Sequence, residues 1–113
     1  MRTHYTTCPI GATEWRVMLT DQDDPALSLD GDACDAVTLV EDCLILIDRN
    51  VKRSKLPGLI VHELLHACIA SSRLGIAMRW SEAREEQVVQ TLADDLTHAL
   101  TGGGLWKGRR ARG

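Results

Sequence analysis

Five consecutive residues, His62-Glu63-Leu64-Leu65-His66, combine two imidazoles and a carboxylate at a spacing that suits one turn of helix. At 3.6 residues per turn, side chains four positions apart lie about 40° apart around the helix axis. Both imidazoles can therefore reach one metal ion, and neutral imidazole nitrogens are typical zinc ligands. Glu63 lies about 100° round from His62, where a carboxylate can take a proton from water at the metal. The pattern predicts a zinc site with His62 and His66 as ligands and Glu63 as general base.

A third metal ligand has to come from elsewhere in the chain. An extension with Gly three and His six residues after the second His is excluded, because Ile69 and Ser72 occupy those positions. A carboxylate further along the chain is the other common solution. Glu85 projects near the centre of an apolar stripe on the next predicted helix, where an unpaired carboxylate is costly and a metal ion would account for it. We expect Glu85 to be the third ligand, with Glu86 or Glu82 as alternative ligands. A further alternative is that Glu85 caps its helix instead of binding the metal.

Two predicted helices have to position these side chains. Pro57 suits the start of the helix that carries the motif, and Gly75 suits its end. Apolar residues surround this helix on most sides, so we expect it to be central and largely buried. Ser81 favours an N-cap for the second helix, which should run to about Leu100. The buried stripe predicted for the second helix consists of Val88, Val89, Leu92, Leu96, Ala99 and Leu100.

The first half of the chain predicts a small sheet. Glu14–Thr20 is rich in strand formers and predicts a strand, whereas residues 1–13 lack periodicity and predict an irregular lead-in. Asp21–Asp35 predicts a polar loop that can hold one helical turn. Ala36–Asp48 carries two β-rich runs, which form either a hairpin or one bent strand. Together these elements predict an α+β fold: a small, mainly antiparallel sheet packed on the motif helix, with the second helix beside it.

Length and composition narrow the class of protein. The chain has 113 residues, 44% of them apolar and 26% charged. We therefore expect one domain over residues 1–104 and a basic, mobile tail over 105–113. No apolar run approaches the ~20 residues that span a bilayer and no secretory signal is visible, so we expect no membrane association and a cytoplasmic location. Four widely spread cysteines without a Cys-x-x-Cys pair are interpreted as free, buried thiols, with a Cys8–Cys34 disulfide or a structural zinc site as alternatives.

Charge is distributed unevenly along the chain, whose formal net charge is -3. From Asp21 to Asp48 there are nine acidic residues and no basic one. Four basic residues crowd the C-terminus: Lys107, Arg109, Arg110 and Arg112. Such a tail can hold nucleic acid through phosphate contacts, but the acidic body would repel phosphate. Nucleic-acid binding is therefore not expected, and the oligomeric state is left open.

The motif residues resemble a known family. His62-Glu63-x-x-His66, followed after eighteen intervening residues by Glu85, resembles the gluzincins, the metallopeptidase group that includes thermolysin. The short chain is also similar to the minimal zincin-like proteins of bacteriophages, which carry a strand, an Ile-His-Glu-Leu-Leu-His type helix and a Glu-Glu-x-Ile-Val helix. The resemblance covers roughly residues 36–100. The matching stretches are Leu44–Asp48, Leu59–Ala67 and Glu85–Val89.

The resemblance implies a zinc metallopeptidase with a minimal zincin-like fold. One zinc ion would be held by His62, His66 and Glu85, and Glu63 would act as general base on zinc-activated water to hydrolyse peptide bonds. The substrate would be a peptide or protein. If the chain is encoded by a phage, its location would be the cytoplasm of the host.

Two departures from the family pattern keep a second class of function open. Thermolysin-like enzymes place an Asp four residues after the ligand Glu to orient a histidine, and here Val89 stands there. A partner for the histidine must therefore come from elsewhere. The candidates for this partner are Glu86, Asp94 and Asp95, or a backbone carbonyl group. The oxyanion stabiliser is not assignable either, with Arg79 and Arg84 as candidates, so the alternative is a zinc-stabilised binding module without catalysis.

Overall fold

Strand-forming residues dominate the first half of the chain and helix-forming residues the second, and the fold follows this division. The computed structural model describes residues 1–102, so the predicted tail at 105–113 lies outside the described residues. The strands are β1 Thr3–Ile10, β2 Thr13–Thr20, β3 Ser28–Leu29, β4 Asp32–Ala33, β5 Ala36–Leu39 and β6 Leu44–Asp48. The helices are α1 Leu56–Ser72, α2 Leu74–Ala77 and α3 Glu82–Gly102. The predicted α+β class is confirmed.

Within residues 1–102, four strands form a mainly antiparallel sheet in the order β1-β2-β6-β5. β2 and β6 run parallel, with Arg16 opposite Leu44 and Thr20 opposite Asp48. The pairs β1–β2 and β5–β6 are antiparallel. β3 and β4 form a separate short hairpin. The sheet thus combines two hairpins joined by one parallel pairing, and β5 forms one of its edges.

All five residues of β6 are buried, because both faces of this central strand are covered. Ile45 and Ile47 pack with Trp15 and Val17 in the cluster beside α1. Leu44 and Leu46 point to the opposite face, where Leu27 covers them. This alternation sets the face of each sheet residue, and it turns Ala36 and Thr38 of β5 towards α1.

The strand predictions are confirmed except at the N-terminus. Glu14–Thr20 lies within β2, and Ala36–Asp48 is a hairpin, in which a 3₁₀ turn at Val40–Asp42 joins β5 to β6. The irregular lead-in expected at residues 1–13 is wrong, because Thr3–Ile10 forms β1. β1 pairs only with β2, so its exposed edge needs no regular apolar alternation and tolerates Pro9, which lacks a backbone donor.

The helix predictions are confirmed in position, but their ends and their buried faces differ. α1 ends at Ser72, and Arg73 adopts left-handed geometry with φ 59°, whereas Gly75 lies inside α2. At the start of α3, Ser81 Oγ accepts a hydrogen bond from the backbone N–H of Arg84 at 3.1 Å, as expected of an N-cap. α3 continues to Gly102, two residues beyond the predicted end.

The apolar stripe predicted for α3 is confirmed at Val88, Val89 and Leu100, which are buried or partly buried, and wrong at Leu92, Leu96 and Ala99, which are exposed. Leu92 and Leu96 are 49% and 42% exposed, whereas Val89 and Ala93 are 0% and 3% exposed. Small side chains allow α3 to approach α1 closely, and the large aliphatic residues remain outside the contact. Glu85 and Glu86 lie four and three residues before Val89, so both border the face of α3 that meets α1, with side chains 31% and 58% exposed.

Two further expectations concern helices and thiols. No helix among residues 1–102 combines the length and the apolar content that a bilayer crossing requires. All four cysteines fall within the described residues and are free thiols, as predicted. The expected burial is wrong, however, because Cys8, Cys34 and Cys43 are only partly buried, and Cys68 is exposed on the side of α1 away from the sheet core.

Candidate metal centre

α1 brings the three motif residues together beside α3. The rings of His62 and His66 lie 5.1 Å apart between centroids, at an interplanar angle of 61°. Both imidazoles are largely covered, with side chains 18% exposed. Glu63 is 8% exposed and faces β5. The structure therefore places His62 and His66 one turn apart on one face, with Glu63 buried at their side, as the spacing predicts.

Glu86 of α3 lies opposite both histidines. Its Oε1 is 2.8 Å from Nε2 of His62, and its Oε2 is 3.1 Å from Nε2 of His66. One ligand atom from each of these three side chains can be chosen so that all lie within 4.8 Å of one another. Two nitrogens and a carboxylate thus converge on one point between α1 and α3.

The contacts between the two histidines and the carboxylates of α3 require either an additional proton or a cation. A carboxylate oxygen is only an acceptor, so each nitrogen that faces one must donate a proton or share a cation with it. His66 faces Glu86 through Nε2 and Glu85 through Nδ1, at 3.1 and 2.7 Å. A neutral imidazole carries a single N–H. The arrangement therefore suits either a second proton on His66 or a cation between the Nε2 atoms and Glu86.

The donor set fits a zinc ion. Bonds of about 2.0–2.1 Å at the tetrahedral angle separate the ligand atoms of a zinc site by about 3.3 Å. The nitrogen–oxygen separations at His62 and His66 are 2.8 and 3.1 Å. These two separations involve different oxygens of Glu86, and one ligand atom from each of the three side chains lies within 4.8 Å of the others, so the side chains would have to shift to hold zinc at that spacing. Imidazole and carboxylate are also ligands of the kind that zinc prefers.

Glu85, expected as the third ligand, is placed at a different atom of His66. Its Oε2 lies 2.7 Å from Nδ1, on the side of the ring away from Glu86. Glu85 also does not cap α3 through its side chain, because that side chain is directed to His66. Glu82 lines the same cavity, and among residues 1–102 it makes no hydrogen bond to either histidine. The structure thus brings Glu86 into the group of nitrogens and gives His66 a carboxylate partner in Glu85.

Among the other candidates named from the sequence, Asp94 and Arg84 make no hydrogen bond to His66 within the described residues, whereas Arg79 lines a cavity together with Glu85. The side chain of Asp94 accepts a hydrogen bond from Gln90 at 3.3 Å and lines the neighbouring part of the cleft. Arg84 lines a different cavity, next to Trp80. Lys55, which the sequence did not single out, lines a cavity together with His62 and Glu63. It is therefore a cation close to the motif within the part of the chain that the structure describes.

Thr38 is a further residue that sequence reasoning missed. Its hydroxyl donates to Oε1 of Glu63 at 2.7 Å and lies 3.2 Å from the Glu63 carbonyl oxygen. The contact joins β5 to α1 across the sheet–helix interface. No local pattern marks it, because the partners are 25 residues apart and meet only through the β5–β6 hairpin. Thr38 leaves the other carboxylate oxygen of Glu63 free to act.

Replacing Thr38 by Val should destabilise the fold. Glu63, a residue only 8% exposed, would lose the hydroxyl donor to its carboxylate, and an unsatisfied buried acceptor costs about 1–3 kcal/mol. Urea denaturation of T38V beside wild type measures the difference. T38S keeps the hydroxyl and is the matched control. Equal stability of T38V and T38S would contradict the importance of this hydrogen bond.

The histidines and Glu63 line an extended cleft between β5 and α3. One cavity of about 520 Å³ is lined by β5 and by Glu82, Glu85 and Glu86 beside the motif residues. A second cavity of about 650 Å³ shares His62 and Glu63 and continues along α3 to Thr97. The group of nitrogens and carboxylates therefore lies where a bound molecule can reach it.

Three elements build this centre: α1 supplies the motif residues, α3 supplies Glu85 and Glu86, and β5 supplies Thr38. A fold alone does not define an activity, which depends on the chemistry of its site. Comparisons of the chain with protein-family models, with curated proteins and with solved structures found no match. Function therefore has to be inferred from the side chains in the cleft.

Proposed function

We propose that the protein is a zinc-dependent metallopeptidase with a minimal zincin-like fold of the gluzincin type. The observation that carries this proposal is the convergence of His62, His66 and Glu86 directly beside the buried carboxylate of Glu63. Two imidazoles and one carboxylate are a donor set of catalytic zinc sites, which leave a fourth position open. The cleft on both sides of His62 provides room for a substrate.

His62, His66 and Glu86 would hold the single zinc ion. We prefer Glu86 to Glu85 as the third ligand because its two oxygens face the Nε2 atoms of both histidines. Glu85 contacts only Nδ1 of His66. Zinc in such a site acts as a Lewis acid that polarises a carbonyl group and makes water more acidic.

Glu63 is positioned to carry the proton that peptide hydrolysis must move. Thr38 donates to Oε1, so Oε2 can take a proton from the attacking water. The same carboxyl group can then give that proton to the amide nitrogen as the C–N bond breaks, and the carboxylate is restored. Burial beside His62 keeps Glu63 in place during both transfers. Lys55 is a candidate for stabilising the negative charge that develops on the carbonyl oxygen.

The proposed substrate is a peptide or a protein. The cavity beside β5 carries the carboxylates of Glu82, Glu85 and Glu86, which disfavour a polyanion such as nucleic acid. A cytoplasmic location is proposed as well, because the four cysteines are free thiols, as is usual for proteins in a reducing compartment.

A zinc-stabilised binding module is the second candidate. Among the residues of α3 that the structure describes, only Val89 and Ala93 are fully buried, so the helix has a small apolar contact with α1. The carboxylates of α3 and the histidines of α1 lie on either side of the proposed ion. Zinc could therefore hold α3 on α1 and serve folding rather than catalysis.

Removal of the metal separates the two candidates. Zinc-loaded protein should cleave a peptide library, lose this activity with a chelator and regain it with added zinc. The stripped enzyme should remain folded by circular dichroism, because Trp15, Ile45 and Ile47 form a core that does not involve α3. His62→Ala should abolish zinc binding, while His98→Ala, on an exposed part of α3, should not. Unfolding on chelation with no cleavage at any zinc concentration would favour the binding module.

A further inference from the structure

We infer that Glu85 is a positioning residue for His66, a role that rests on the proposed zinc site. Glu86 would bind the metal, and Glu85 would accept a hydrogen bond from the N–H of the ligand histidine His66. Two consecutive carboxylates of α3 thus act on the same imidazole from different sides. The inference concerns how the ring is held and presented, and it does not depend on which peptide is cleaved.

The distances at the imidazole support these separate roles. Glu85 Oε2 lies 2.7 Å from Nδ1 of His66, whereas Glu86 Oε2 lies 3.1 Å from Nε2. An ionised carboxylate can only accept, so the contact with Glu85 places a proton on Nδ1. If zinc is bound, the lone pair of the neutral ring would then be on Nε2, the nitrogen on the side of Glu86, and would be available to the ion. A carboxylate at the non-ligating nitrogen fixes the tautomer and the orientation of a metal-binding histidine.

Helix geometry explains why neighbouring residues can share one ring. Consecutive side chains of α3 leave the helix about 100° apart. Glu86 is directed between the two histidines, and Glu85 passes along the other edge of His66. Among residues 1–102, His62 has no comparable carboxylate at its Nδ1. The contact with Glu85 therefore fixes the orientation of the His66 ring in a way that has no counterpart at His62.

The surroundings of Glu85 restrict its carboxylate. A Cβ built on Gly75 would lie 3.3 Å from Oε1 of Glu85, so the turn of α2 closely covers this side chain. That turn is held in place by the hydrogen bond from the Trp80 N–H to the Gly75 carbonyl at 2.8 Å. Only 31% of the Glu85 side chain is exposed, compared with 58% for Glu86. Glu85 is therefore confined between His66 and the α2 turn.

Zinc affinity tests the inference independently of peptide cleavage. Competition with a chromophoric chelator should show binding about 10–100-fold weaker in E85A than in wild type, as for the loss of other partners of ligand histidines. E85Q keeps an acceptor oxygen and should recover part of the affinity. E82A, which removes a carboxylate of the same cavity, should bind zinc like wild type. Wild-type affinity in E85A would overturn the inference, and so would complete loss of zinc in E85A with full binding in E86A.

A second measurement reports on the ring itself. In ¹⁵N-labelled, zinc-loaded protein, the Nδ1 proton of His66 should be visible and protected from exchange with water. In E85A this proton should exchange rapidly, while E85Q should retain protection. A purely structural role of Glu85 would leave the proton protected, which would also overturn the inference. Wild-type protein that binds zinc but cleaves no peptide would remove the proposed activity and leave this inference intact, whereas failure to bind zinc would remove both.

Discussion

Glu63→Gln is expected to abolish peptide cleavage while leaving zinc in the protein. Gln has the shape of Glu, and its amide oxygen can still accept the hydroxyl proton of Thr38, so the packing beside α1 should survive. The amide cannot take a proton from water or return it to a leaving amine. Loss of a general acid–base group lowers the rate typically by about 10²–10⁴-fold. Since Glu63 serves both transfers, we expect a loss at the upper end of that range.

The test compares zinc content, stability and kcat/KM of E63Q and wild type with the same peptide substrate. E41Q is the matched control, because Glu41 is an exposed carboxylate that lines neither cavity of the cleft. It should keep its activity to within a few-fold. Cleavage by E63Q at the rate of wild type, with zinc bound, would refute Glu63 as the general base. Loss of both zinc and folded structure in E63Q would point instead to a structural role.

The local part of the site could be predicted from the sequence because it depends on a single helix. Four residues of spacing bring His62 and His66 to one face wherever that helix packs. Apolar residues on most sides of α1 also made its central position predictable. Glu63 required no tertiary information, since it belongs to the same turn. These placements follow from covalent geometry and helical period alone.

The contribution of α3 could not be predicted at the same precision because it depends on how two helices meet. The large residues Leu92 and Leu96 appeared to define its buried face, yet Val89 and Ala93 occupy the contact. The observed contact face is turned from the predicted one, and Glu85 and Glu86 lie on either side of it with side chains 31% and 58% exposed. Both residues reach His66, and only the packing of α3 decides which nitrogen each one meets.

Contacts made by the strands were the other part of the structure that could not be predicted from the sequence. β1 buries few of its side chains because it is an edge strand with one partner, and its partly buried positions Thr6, Cys8 and Ile10 include a polar residue. Thr38 reaches Glu63 only after the β5–β6 hairpin has turned its face towards α1. Such contacts join residues that are distant in the sequence, so a short stretch of sequence does not predict them. The general base could therefore be named from its motif, while its hydroxyl partner could not.

Glu86→Ala is expected to weaken zinc binding more than any other change on α3. The variant removes one of three proposed protein ligands and leaves His62 and His66 without the carboxylate that faces both Nε2 atoms. We expect the dissociation constant to rise by more than about 100-fold, or about 2.7 kcal/mol, beyond the effect of losing a partner of a ligand. Peptide cleavage should fall with zinc occupancy and recover partly at high zinc concentration.

The comparison with E85A makes this prediction decisive for the ligand set. If Glu86 binds zinc, the affinities should fall in the order wild type, E85A, E86A, and E82A should match wild type. If E86A binds zinc normally and E85A does not, Glu85 is the ligand and the contact between its Oε2 and Nδ1 of His66 is not kept in the metal-bound protein. Equal losses in both variants would indicate that the two carboxylates share the ion. Each order of affinities assigns the third ligand differently, so titration of these variants with zinc decides between adjacent residues that helical phase alone could not separate.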